Sequence, residues 1–254
     1  MRGIKKPWPP QNVAPASQQP CTMQRAERDF LASLATTSEK VERARTRFDD
    51  LDKAKLRQVM YTEQHHVCVY CERRIEEGTD PPPIEHWIPL REDPERAMYW
   101  ENLYLSCAQP GTCDDAKQGK RLAWAPADPS LPWPTQADYE HWLGFTRGGE
   151  AYVRTNANLS AQQRRALQLA LDDQMQGGSR RPAVLALNHP ALVEARKAAI
   201  SSERSHLERM FPAQTATPAE RTSRANQLLG AVEYPSFVSI RVAWLANTLG
   251  KGRP

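Results

Sequence analysis

The stretch that decides the fold runs from Cys68-Val69-Tyr70-Cys71 through Ile84-Glu85-His86-Trp87-Ile88-Pro89-Leu90 to Asn102-Leu103, Cys107 and Cys113-Asp114-Asp115-Ala116-Lys117. Of the chain's five cysteines, four (Cys68, Cys71, Cys107 and Cys113) fall inside it. The two-residue gap of Cys68 and Cys71 suits a tight turn that aims two thiolates at one ion. Cys107 and Cys113 supply a second pair, and the insert between them carries Pro110-Gly111, a turn signal. Four thiolates fill the tetrahedral shell of zinc and leave no open position, so the ion would be structural. It would hold together elements with little core of their own. His65 and His66 are alternative donors, and four unrelated buried cysteines are the bland alternative.

Outside this stretch, composition sets the bounds. The chain has 254 residues, 40% hydrophobic, with 34 Lys+Arg against 30 Asp+Glu and a net charge of +4. Mean hydropathy is −0.69. That length fits one large domain or two small ones. No run of 18 apolar residues occurs, which excludes a transmembrane helix of the usual kind. The N-terminal residues are basic but lack an apolar signal core, so a cytoplasmic setting is expected, where cysteines read as metal ligands before disulfides. The small net charge does not by itself argue for nucleic-acid binding.

The order of elements is expected to be α+β. Residues 1–20 form a Pro-rich arm, extended or polyproline-like, with Trp8 as a possible anchor and Cys21 just beyond it. Residues 21–63 are a helical region. Ser38 is expected to cap a helix with Val41, Ala44, Phe48 and Leu51 on one face, and a second helix near Lys53–Gln64 buries Leu56, Val59 and Met60. Residues 64–124 carry short strands at His66–Tyr70, Ile84–Leu90 and Asn102–Cys107, then a helix over Asp114–Trp124. Residues 125–254 begin with a connector rich in proline (Pro126, Pro129, Pro132, Pro134) and continue mainly helical. A hairpin is expected around Gly148-Gly149, flanked by His141–Phe145 and Glu150–Arg154. Helices follow with Leu167 and Leu171 on one, and with Leu192, Ile200 and Leu207 after Pro190. Another is opened by Thr217, Pro218 and Glu220. The last shows Val238, Val242, Leu245 and Leu249 and is expected to stop at Gly250.

Glu85 and His86 are adjacent, and on a strand adjacent side chains face opposite ways. Near a strand end they can address one metal–water site from two directions. A carboxylate suits Mg2+ or Mn2+, and a neutral imidazole suits a general base near neutral pH. With Asn102-Leu103 and the Cys113-Asp114-Asp115-Ala116-Lys117 helix start, this series resembles the HNH endonuclease family: an acid-His-x-x-Pro segment, an Asn-Leu pair, then a cysteine-led helix. The opening Met1-Arg2-Gly3-Ile4-Lys5-Lys6-Pro7, the Cys-Val-Tyr-Cys knuckle and the Val184-Leu185-Ala186-Leu187-Asn188 run followed by Arg196 are similar to the PtuB group, the HNH nucleases of Septu and some retron anti-phage systems.

The resemblance implies a ββα-metal core and a metal-dependent nuclease. His86 would activate water, Glu85 and Asp114 would hold the catalytic cation (Mg2+ or Mn2+), and Asn102 would order the loop or assist the metal. Asp115 competes with Asp114 for its role. Two departures stand out: Asp rather than His or Asn at the last position, and Glu rather than Asp before the histidine. Lys117, Lys120 and Arg121 are candidate nucleic-acid contacts to the phosphate backbone, or an ordinary solvated helix face. Further on, Arg154, Arg164, Arg165, Arg180, Arg181, Arg196, Lys197, Arg204 and Arg209 make a candidate DNA-facing stripe, or scattered helix-surface charge. The resemblance also implies an ATPase partner of the ABC/SMC-like kind; the chain itself has no GxxxxGK[ST] phosphate loop. Two other readings stay open. One is a zinc-stapled module that binds nucleic acid or a partner without catalysis. The other is an HNH restriction or mobile-element nuclease.

Overall fold

The computed structural model describes residues 25–78, 80–118, 139–176, 178–212 and 215–250. The Pro-rich arm with Trp8, Cys21, Lys120, Arg121, Trp124 and the prolines of the connector lie outside the described residues.

The chain is a mixed α+β structure in which helices outweigh small sheets. Helix α1 (Arg25–Ser33) leads to α2 (Thr37–Asp49) and α3 (Lys53–Glu63). Thr36 opens α2, not Ser38: its hydroxyl accepts from the Glu39 backbone N–H while the Glu39 carboxylate accepts from the Thr36 N–H. Ala44 and Phe48 are buried on this helix, as are Leu56 and Met60 on α3.

The expected strand at His66–Tyr70 does not form. His65 and His66 both sit at positive φ (50° and 59°), which breaks the extension. The chain turns instead, with one bridge between Val67 and Arg74 and a tight loop closed by the Cys68 N–H on the Arg73 carbonyl. Strand β1 (Ile84–His86) pairs antiparallel with β2 (Leu103–Leu105), with Glu85 opposite Tyr104. Both are shorter than their apolar patterns suggest. After His86 the Trp87 N–H leaves the ladder for the Asn102 carbonyl, and the loop turns at Pro89 and at a 3-10 turn, Pro94–Arg96.

Helix α4 (Cys113–Lys117) begins at the fourth cysteine and ends at Gln118, which is left-handed (φ 44°). The remainder of the helix expected to reach Trp124 lies outside the described residues. Then come α5 (Tyr139–Trp142) and the hairpin β3 (Leu143–Phe145) with β4 (Ala151–Val153), as the Gly148-Gly149 turn predicts. After α6 (Ala161–Leu171) a second hairpin, β5 (Gln174–Gln176) with β6 (Ser179–Arg181), had no legible pattern in the sequence. The long α7 (Pro190–Met210) buries Leu192, Ile200 and Leu207. Thr217 and Glu220 form the capping box of α8 (Pro218–Leu229).

Helix α9 (Val238–Leu245) stops short of Gly250. Asn247 takes the left-handed conformation (φ 55°), and Gly250 instead joins the hairpin: its N–H donates to the Phe145 carbonyl and its carbonyl accepts from Arg147. One buried cluster reaches from Leu31 to Ile240 and includes all four cysteines of the central stretch. A smaller one lies between α7, α8 and α9 around Leu207, Leu228 and Val238. No described helix is long and apolar enough to cross a membrane.

Candidate metal and acid–histidine site

Two loops carry the cysteines. The first is the knuckle after α3. The second runs from β2 to α4, where Gly111 (φ 71°) makes the turn and its N–H donates to Asp115 Oδ2 at 2.6 Å. The four sulfurs of Cys68, Cys71, Cys107 and Cys113 are buried and lie within 4.8 Å of one another. A tetrahedral zinc bound to sulfur at about 2.3 Å needs sulfurs about 3.8 Å apart. Cys71 and Cys107 are 3.7 Å apart, and Cys68 and Cys113 3.9 Å. These residues can therefore hold one zinc ion through four thiolates, with no room in the set for His65 or His66. Burial by itself would raise the Cys68 thiol, but hydrogen bonds from Cys107, Cys113 and Cys71 outweigh it and hold that thiol well below its ordinary value. Cys71 and Cys113 shift the other way, their thiols held well above the ordinary value chiefly by hydrogen bonds with Cys107, so before a metal arrives the charge concentrates on Cys68.

His65 and His66 do something else. His65 stacks on Tyr234, with centroids 4.1 Å apart, and its Nδ1 meets the Val232 carbonyl at 2.9 Å. His66 lies 3.8 Å from the Glu233 carboxylate. Both dock the segment before α9 onto the knuckle. Arg196 is buried beneath, donating to the Leu187 carbonyl at 2.7 Å and the Gly149 carbonyl at 3.3 Å. Burial lowers its pKa, while the nearby Cys71, Glu72 and Cys113 act to raise it.

The pleat of β1 sends Glu85 and His86 to different surroundings. Glu85 is buried and meets Asp114, Lys117 and Tyr70. The Tyr70 hydroxyl donates to its Oε1 at 2.9 Å, and the Lys117 ammonium pairs with the same oxygen. Burial would raise the Glu85 carboxyl, but Lys117, then Asp114 and Tyr70, lower it on balance. Asp114 takes the opposite shift. Burial, the hydrogen bond with Glu85 and its negative charge push Asp114 to about 7. Two carboxyls in contact thus share a proton near neutral pH, because burial and like charge make ionising both costly.

Lys117 differs from its sequence reading. It is fully buried on α4, and its ammonium also donates to the His86 carbonyl at 2.6 Å and the Trp87 carbonyl at 3.2 Å. It braces β1 rather than facing solvent, so it is no surface contact to phosphate. Asp114 and Asp115 are also separated by geometry. Asp114 faces Glu85, whereas Asp115 closes the turn at Gly111.

On the other side, His86 Nε2 lies 2.9 Å from the Ala97 carbonyl. A carbonyl only accepts, so Nε2 carries the hydrogen and Nδ1 keeps its lone pair in the neutral ring. Burial pulls the imidazole below its ordinary value, against the Ala97 carbonyl and the Glu85 charge. The ring meets Phe48 edge-on, with centroids 4.6 Å apart. Asn102 is fully buried and clamps the loop after β1. Its Oδ1 accepts from the Ile88 N–H at 2.7 Å, and its Nδ2 donates to Ile88 O at 3.1 Å and Arg96 O at 3.0 Å.

Four supporting residues were not legible in the sequence. Tyr70 sits inside the knuckle, and only its place between two cysteines marks it. Gln64, buried at the end of α3, accepts from Leu105 N at 2.7 Å and donates to Leu105 O at 2.9 Å, completing the outer edge of β2. Glu72 accepts from Ser239 N at 2.8 Å and Ser239 Oγ at 2.6 Å, tying the knuckle to α9. Leu185 accepts from the Cys113 N–H at 2.8 Å, so the Val184–Asn188 run supports the fourth cysteine. No protein-family model matches the chain, and no curated protein matches it either.

Proposed function

We propose that the chain is a metal-dependent HNH-type endonuclease that hydrolyses DNA phosphodiester bonds from a ββα-metal core of β1, β2 and α4. The reading rests on one observation: Glu85 of β1 and Asp114 of α4, far apart in sequence, meet as a carboxyl pair beside the strand that carries a neutral His86. Glu85 and Asp114 would hold Mg2+ or Mn2+, which supplies charge stabilisation to the scissile phosphate and leaving oxygen. His86 Nδ1 takes the proton of the attacking water, with its tautomer fixed by Ala97. Lys117 and Tyr70 orient Glu85, and Asn102 holds the loop between them. The cysteine cluster, loaded with zinc, would fix the start of α4 against the knuckle and the end of β2.

The resemblance of its motifs to the PtuB group supports reading the chain as the nuclease of a Septu-type anti-phage complex in the cytoplasm, working with an ABC/SMC-like ATPase partner. Co-purification with an ATPase encoded next to it tests that part; its absence favours a restriction or mobile-element nuclease. One observation favours the non-catalytic zinc-stapled module instead: Lys117 already neutralises Glu85 without a metal.

Plasmid cleavage in Mg2+ or Mn2+, with the partner present, separates these readings. Loss of a general base commonly costs 10²–10⁴-fold, so His86→Ala is expected to fall by about that factor. Equal nicking by wild type and His86→Ala would remove catalysis from this site.

A further inference from the structure

Arginines of the C-terminal half mostly serve internal acceptors. Arg164 donates to the carbonyls of Arg154, Thr155 and Ala157. Arg180 pairs with Asp173, and Arg224 and Arg241 both pair with Glu203. Of the stripe legible in the sequence, Arg154, Arg164, Arg180, Arg196 and Lys197 are engaged by partners within the fold.

Three others converge on one place. Arg147 in the β3–β4 turn, Arg204 on α7 and Arg221 on α8 come from distant parts of the chain and line one cavity of about 250 Å³ beside Trp244 and Asn247. No carboxylate lines it among the described residues. Arg221 is fixed on the wall: its Nε donates to Leu245 O at 2.9 Å, its Nη2 to Trp244 O at 2.6 Å, and its guanidinium lies 4.7 Å from the centroid of the Trp244 ring. Arg147 and Arg204 are exposed and make no ion pair among the described residues. Arg204, Arg221 and Trp244 also border an adjoining cavity of about 470 Å³, where Glu208 is the one acidic side chain among the described residues that line it. The depression is therefore longer than a single phosphate ion requires. Guanidiniums converging without counter-charge make a local positive potential, and their fork geometry matches phosphate oxygens.

We propose that this arginine-lined depression binds the phosphodiester backbone of a nucleic-acid strand, at a place lined by none of Glu85, His86 and Asp114. It rests on the nuclease reading only for the choice of nucleic acid among phosphate compounds. Such contacts position a strand without reading its sequence. They also let a chain of small net charge hold a polyanion, because position matters more than the sum.

The test is fluorescence anisotropy with a labelled duplex of about 20 base pairs and the matching single strand, over a salt series, in the full chain carrying His86→Ala. The variants are Arg147→Glu with Arg204→Glu, the milder Arg147→Gln with Arg204→Gln, and Arg209→Glu, which is exposed on α7 but lines neither cavity. The double glutamate variant is expected to bind at least about tenfold more weakly than the His86→Ala parent at ~100 mM salt, and its salt slope to fall by about two, one per lost phosphate contact. The glutamine pair should follow in the same direction, and Arg209→Glu should stay within about threefold. Circular-dichroism melts that match wild type exclude unfolding.

A double variant no weaker than Arg209→Glu, or a His86→Ala parent that binds neither duplex nor single strand, overturns the proposal. So does displacement of the strand by about 1 mM AMP at matched ionic strength, which would mark a nucleotide pocket instead. Failure of the nuclease reading looks different. A protein that binds as expected but never cuts keeps the groove and loses the chemistry. A protein that cuts while the double variant binds normally keeps the chemistry and loses the groove.

Discussion

Lys117 and Asn102 show how a single side chain changes meaning once its surroundings are known. A lysine four residues after a cysteine on a short helix reads as solvated charge. Folded, it is the counter-charge of Glu85 and a donor to two β1-end carbonyls. Asn102 makes three hydrogen bonds to the loop after β1, all inside protein. Removing it leaves buried backbone groups unpaired, and such groups cost about 1–3 kcal/mol each. Asn102→Ala is therefore expected to lose about 3 kcal/mol in urea denaturation with an unchanged slope. A loss under about 1 kcal/mol would mean that water replaces the clamp.

Among elements, the knuckle and α4 depend most on something other than apolar packing. Helix α4 spans Cys113–Lys117, too short to be stable alone, and its N-cap residue Thr112 makes no side-chain cap bond. Its position comes from Cys113, the Leu185 carbonyl and Lys117. A metal that draws four thiolates together supplies what the helix lacks, and its binding free energy becomes folding free energy. Wild type is expected to purify with one zinc ion per chain and to melt at lower temperature after chelation. Cys71→Ser should retain well under one ion. A wild type free of zinc by metal analysis, with melting unmoved by chelator, would sink the thiolate site.

For the molecule as a whole, the C-terminal helices brace the central stretch. Glu72 caps the start of α9 through Ser239, the Tyr234 N–H donates to the His65 carbonyl at 2.9 Å, and Arg74 pairs with Glu233. Behind them, Glu203 of α7 is buried and holds Arg224 of α8 and Arg241 of α9. Burial would raise its carboxyl, but hydrogen bonds from the two arginines lower it on balance. A lowered carboxyl adds stability that is complete above its unfolded pKa of about 4.3 and lost as pH falls through the lower folded value. Glu203→Gln is expected to cost about 3 kcal/mol at pH 7, because two cations lose their partner. The gap to wild type should close as pH drops below about 4. A gap of equal size at pH 3 and pH 7 in thermal melts would refute this account.

Local chemistry was legible where it depends on spacing. The cysteine pairs, the capping box at Thr217 and Glu220, the Gly148-Gly149 turn and the buried faces of α7 follow from residue type and interval, because thiolate reach, N–H capping and helical period act over a few positions. Element ends were less legible. Ser38 was misread although the Thr36 and Glu39 capping box is a local signal; His66–Tyr70 and Gly250 were misread because positive φ at His65, His66 and Asn247, and the pairing of Gly250 with β3, depend on contacts made elsewhere in the fold. The choice of Asp114 over Asp115 beside Glu85, the burial of Lys117, and the meeting of Arg147, Arg204 and Arg221 join residues from separate elements. Charge and hydrogen bonding act over a few ångströms in space whatever the distance along the chain, so folding alone brings those partners together.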